Sequence, residues 1–194
     1  MRVGALAGAL VGALLLTGCT VELGAPADTG GFPLCPPVPG TVDGGLVLEA
    51  QAVGSAQQLP CLREKPVGWS FADLVVRDGE ATFWLNSDRG GQRALSVLLR
   101  PSCSLDGATE VPFEPRGIRR FDRVARADEP ITLERFFTFA GGCVTLRFDL
   151  QAGAGSEPVN TVADALGFVS RADLAARVRE VSSGRLELDR DGAP

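Results

Sequence analysis

The residues best placed to do chemistry in this chain are arginines and carboxylates. Arg116, Arg119, Arg120, Arg123 and Arg126 fall within eleven residues, opposed by Asp122 and flanked by Glu114, Asp128 and Glu129. A guanidinium is a rigid fork of donors that matches phosphate and carboxylate, so Arg116, Arg119, Arg120 and Arg123 are candidates for holding an anionic polymer or lipid headgroup. The competing reading is a solvated segment whose arginines pair with the neighbouring acids. Glu134 and Asp149 are the candidate acid and base. A hairpin turning at Gly141-Gly142 pairs residues whose numbers sum to 283, which sets Glu134 opposite Asp149 with Arg147 beside them. Cross-strand neighbours lie roughly 5 Å apart, near the carboxyl separation of a retaining glycosidase.

Other chemistry is excluded by composition. The chain has no His and no Tyr, which removes Ser-His-Asp and Cys-His catalysis, His-ligated metals and a histidine pH switch. Two Trp and no Tyr are a poor lining for a sugar cleft. Lys65, the single lysine, has no Ser-x-x-Lys spacing, and Gly153-x-Gly155 lacks a P-loop lysine. The acids therefore read as a surface pair and the chain as non-catalytic, needing no cofactor and no metal; a small carboxylate hydrolase using Glu134 and Asp149 is the alternative.

The N-terminus gives the clearest signal. Met1-Arg2 is a short positive region and Val3–Leu16 an apolar run too short for a spanning helix, which takes about 20 residues. The following Leu16-Thr17-Gly18-Cys19 resembles the bacterial lipobox. That resemblance implies cleavage after residue 18, acylation of the Cys19 thiol, and a protein held at the extracytoplasmic face of the cell membrane by its lipid. Removing residues 1–18 takes away only one basic residue, Arg2, and leaves 18 basic against 24 acidic groups. Net negative charge and export both argue against nucleic acid. Partners are then the membrane through Cys19 and an envelope protein, polymer or anionic lipid; a regulatory subunit of a membrane protein is a further possibility.

Cys35, Cys61, Cys103 and Cys143 remain, an even number in an exported chain, which predicts two disulfides with three possible connectivities. Pairs 35–61 and 103–143 are favoured because each brackets predicted strands, and loop-closure entropy gives them about 3.5 and 4 kcal/mol.

The elements that must position these groups follow from periodicity and turn chemistry. Thr20–Pro39 reads as a Pro/Gly-rich tether and residues 40–190 as one domain. Gly45–Val53 reads as a strand after an Asp43-Gly44 turn, and Gln57–Pro66 as loop. Asp73–Arg77 and Glu80–Asn86 form a hairpin about Asp78-Gly79, pairing Val76 with Ala81 and Leu74 with Phe83. Arg93–Arg100 adds a strand, Pro101–Pro115 is an irregular loop, and Ile118–Arg126 a weak strand. Ile131–Phe139 and Val144–Leu150 make the second hairpin, whose Phe137, Phe139, Val144, Leu146, Phe148 and Leu150 share a face interrupted by Arg135. Ser156 caps a short helix with Pro158 in its first turn, ended by Gly167; Ser170-x-x-Asp173 opens another running to about Ser182. Residues 162–178 resemble a helix-turn-helix at Ala163, Gly167 and Ser170 but place Asp173 where that pattern takes an apolar residue. They read as two packed helices joined by a tight turn. Arg185–Asp189 alternates like a closing edge strand. The expected class is α+β: mainly antiparallel sheet or sandwich with two short C-terminal helices packed on it.

Overall fold

The computed structural model describes residues 31–35, 41–126 and 132–189. The lipobox with Cys19, most of the tether, and Asp128 and Glu129 lie outside the described residues. The fold is α+β. Helix α1 (Gly44–Ala52) is followed by strands β1 (Gln58–Leu62), β2 (Trp69–Arg77), β3 (Glu80–Ser87), β4 (Gly91–Arg100), β5 (Thr109–Val111), β6 (Arg119–Arg126), β7 (Thr132–Phe139) and β8 (Gly142–Asp149). Helix α2 (Glu157–Ala165), strand β9 (Leu166–Ser170) and helix α3 (Arg171–Val181) complete it. Seven strands form one sheet in the order β2-β3-β4-β8-β7-β6-β5 with every neighbour antiparallel, and β1 pairs with β9 in a separate two-stranded sheet.

Strand alternation gives the large sheet one apolar face. Phe83, Leu85, Leu95, Val97, Leu99, Val144, Leu146 and Phe148 bury there against Leu46 and Ala50 of α1, Leu59 and Leu62 of β1, Val162 of α2 and Leu174 of α3. The opposite face carries a smaller cluster of Phe121, Phe136 and Cys143 under the loop that holds Cys103, Leu105 and Ala108. Disulfides join Cys35 to Cys61 and Cys103 to Cys143, as in proteins of oxidising compartments. No helix among the described residues is long and apolar enough to cross a membrane.

The Asp78-Gly79 hairpin has the expected register, Val76 against Ala81 and Leu74 against Phe83. Several other elements differ from expectation. Gly45–Val53 is helix rather than strand, because Asp43 caps instead of turning: its Oδ1 accepts from the Gly45 and Leu46 amides at 2.8 and 3.3 Å. Leu46, Glu49, Ala50 and Val53 then bury at helical spacing. Gln58–Leu62, expected as loop, is β1, and Thr109–Val111 makes a short strand inside the loop expected over Pro101–Pro115. Gly31–Cys35, expected in the tether, packs on the domain: Phe32 is buried with its ring 6.2 Å from that of Phe71, and Leu34 bridges to Leu62.

The two C-terminal helices are present, but no tight turn joins them. Leu166–Ser170 is extended and pairs along all of β1, which takes the segment out of any helix-turn-helix geometry. Ser156 occupies the cap position of α2 without a side-chain capping bond, whereas Ser170 Oγ accepts from the Asp173 amide at 3.0 Å. Arg185–Asp189 forms no strand; its backbone is tied to Arg171 instead, whose Nη2 donates to the Asp189 carbonyl at 2.9 Å and Nη1 to that of Ala50 at 2.7 Å.

One buried group stands apart. Glu49 is 1% exposed, and neither carboxyl oxygen has a hydrogen-bond partner among the described residues. Desolvation, then the nearby Asp43 charge, pushes its carboxyl well above the usual range.

Candidate functional site

The second hairpin sets the geometry of the site, and its register is shifted from the expected one. The turn is Ala140-Gly141, so residues pair with numbers summing to 281: Phe137 with Val144, Leu133 with Phe148. Gly142 opens the strand opposite Phe139, where a Cβ would sit 2.5 Å from the Phe139 ring. Gly141 takes the turn, at φ +71°, pressed on Ser55, whose hydroxyl donates to the Gly141 carbonyl at 2.7 Å. A shift of two residues keeps every side chain on its predicted face but changes every partner. Glu134 consequently faces Arg147, and Asp149 faces Thr132, so the two candidate acids are not opposed.

Glu134 is instead held between two arginines on the outer face. Arg123 Nε donates to its Oε2 at 2.8 Å and Arg147 Nε to its Oε1 at 2.9 Å, while Arg123 Nη1 donates to the Asp106 carbonyl at 2.6 Å. Burial pushes the Glu134 carboxyl up, but the bonds from Arg123 and Arg147 outweigh it and hold the group below its ordinary value. Asp149 is exposed.

The arginine cluster does not form one patch. β6 alternates, so Arg119 and Arg123 stand on the outer face with Phe121, and Arg120 and Asp122 on the helix-covered face. Arg119 makes a two-point bond to Glu110, at 2.9 and 2.7 Å, and Arg116 is exposed with no ion partner among the described residues. Arg119, Arg120 and Arg123 thus pair with acids, Arg119 and Arg123 with acids from neighbouring strands.

On the helix-covered face the same pattern recurs around Asp122. Arg120 reaches it through Nε at 2.9 Å and through Nη2, and Arg135 through Nε at 3.0 Å and Nη2 at 3.2 Å. Burial raises the Asp122 carboxyl, and the two guanidiniums more than offset that, holding it low. Arg120 and Arg135 face a cavity of about 550 Å³ between the sheet, β1 and α2, whose other walls are Arg63, Phe113, Phe137 and Leu166 with Asn160 and Asp164. Its volume falls in the range of about 300–1,000 Å³ of small-molecule pockets.

Of the sequence candidates, only Arg120 lies in this cavity. Arg135 was signalled by its interruption of the apolar face of its strand; Arg63 carried no signal, since its place depends on the pairing of β1 with β9. No group of three or more His, Cys, Asp or Glu among the described residues is arranged to hold a metal ion. No family model, curated protein or solved structure matches the chain.

Proposed function

We infer that the chain is a lipoprotein of the bacterial cell envelope, acylated on Cys19, whose domain is a non-catalytic binding module for an anionic partner. The lipobox resemblance supports the anchor, and two disulfides suit an oxidising, extracytoplasmic compartment. The observation that carries the binding reading is the cleft lined by Arg63, Arg120 and Arg135, where three guanidiniums face one space. Asp122 and Glu134 are each gripped by two arginines, so these carboxylates fix guanidiniums in place rather than move protons.

Two measurements test the reading. Mass spectrometry of the mature N-terminus is expected to find a diacylglyceryl-modified Cys19; an unmodified thiol, or the polypeptide released into the medium, refutes the anchor. Crosslinking in intact membranes with the anchor kept, followed by titration of the purified lipoprotein with the anionic envelope components recovered, is expected to show saturable binding. Indifference to every anionic component refutes the module.

A further inference from the structure

The geometry points to the cavity between β6, β7 and α2 as a site for a small organic anion: a carboxylate or phosphate head on the arginines and an apolar, preferably aromatic, body on the phenylalanines. This rests on the reading of the domain as an anion binder and names the place and the ligand class.

Charge supplies the first argument. Three guanidiniums, of Arg63, Arg120 and Arg135, and the Asp164 carboxylate line one half-open cleft, with Asp122 behind them bonded to Arg120 and Arg135. The Arg120 and Arg135 side chains are only 22% and 12% exposed, and they share the single Asp122. Cations drawn that far out of water need full compensation, and one carboxylate between two of them leaves a positive excess. Donors are also left over. Asp122 takes Nε and Nη2 of each arginine, and neither Nη1 has a partner among the described residues. Arg63 has no ion partner among the described residues either, yet its backbone is fixed, donating to the Ala165 carbonyl at the end of α2 at 2.8 Å. Three forks converging on one space suit a planar or tetrahedral oxyanion.

Shape supplies the second argument. Phe113 and Phe137 meet at 5.1 Å between ring centroids with their planes tilted by 58°, and Leu166 extends that wall. A bare inorganic ion would leave this surface wet, whereas an anion with an aryl or alkyl body covers it. Asn160 and Asp164 from α2 can take a hydroxyl or amine on the ligand.

The test uses the full mature lipoprotein in detergent and three probes: 2-naphthyl phosphate, 2-naphthoate and inorganic phosphate. Calorimetric titration is expected to show one saturable site per chain for both naphthyl anions, with inorganic phosphate bound at least about tenfold more weakly. Arg63→Gln, a change at an exposed side chain, is expected to weaken both naphthyl anions by about tenfold. Phe113→Ala is expected to weaken them while leaving inorganic phosphate unaffected, and Arg100→Gln, on the outer face, to change nothing. Displacement of 2-naphthyl phosphate by phosphatidylglycerol vesicles, but not by phosphatidylcholine vesicles, supports the site with a lipid headgroup as its anion; naphthyl binding undisturbed by either supports it with a soluble one. No saturable binding of either naphthyl anion overturns the inference, as does equal loss in Arg63→Gln and Arg100→Gln. Binding of anionic envelope material that ignores both Arg63→Gln and Phe113→Ala overturns the cavity and leaves the broader reading standing.

Discussion

Glu49 gives the sharpest check on the physics of this fold. Burial, then the nearby Asp43 charge, pushes its carboxyl well above the usual range, and neither oxygen has a hydrogen-bond partner among the described residues. Burying an unsatisfied neutral polar group costs about 1–3 kcal/mol. Glu49→Met keeps the length and removes both oxygens, so it should stabilise by that amount at about pH 3.5, where ionisation does not yet contribute. Ionisation adds a second, pH-dependent part. Below the ordinary carboxyl pKa of about 4.3, folded and unfolded chains both hold the proton. Above it, the unfolded chain releases the proton and the folded one does not, so stability falls as pH rises until the folded group itself ionises. Glu49→Gln keeps the shape and an unsatisfied polar end but cannot ionise. It should match the parent at about pH 3.5, where folded and unfolded chains both hold the proton, and exceed it at pH 8, while Glu49→Met exceeds the parent at both. Urea unfolding with intact disulfides, taken as the variant-minus-parent difference at each pH, cancels the contributions of other groups. If both variants are less stable than the parent at both pH values, the carboxyl is engaged in a bond and the reasoning fails.

Two further outcomes follow from the hairpin and the ion triads. Gly141→Ala puts a Cβ 1.9 Å from the Ser55 carbonyl at φ +71°, so it should cost about 2–4 kcal/mol; Gly79→Ala, at φ +74° with open space around it, should cost only about 1 kcal/mol in the same unfolding assay. Asp122 titrates below its ordinary value, so its contribution is complete above about pH 4 and fades as pH falls through the folded pKa; Asp122→Asn should be less stable than the parent at pH 7, with the gap closing on acidification. A gap that widens toward low pH would contradict the pairing with Arg120 and Arg135.

Local chemistry made the β2–β3 hairpin legible, because Asp-Gly between two alternating runs has few other solutions. It misled at Asp43-Gly44, where the same dipeptide caps a helix; the Ala, Leu, Glu and Gln that follow are good helix formers and were the better guide. β1 and β9 were hidden because each is five residues long and its partner lies more than a hundred residues away. Gly167 reads as a helix stop, but its role is tertiary: a Cβ there would lie 2.8 Å from the Cys35 sulfur. For the site, alternation along β6 already implied that Arg119 and Arg120 face opposite ways, while the convergence of Arg63 and Arg135 on one cavity needed the whole topology.

The Cys35–Cys61 bridge has a mechanical consequence. Phe32 and Leu34 dock just before it, and the loop it closes contains all of α1. Tension applied to the chain ahead of Gly31 is handed at Cys35 straight to β1 through a covalent bond, so α1 stays slack. Reduction of that one bond would reroute the load through the helix, turning a rigid point of attachment for any such pull into one that unravels.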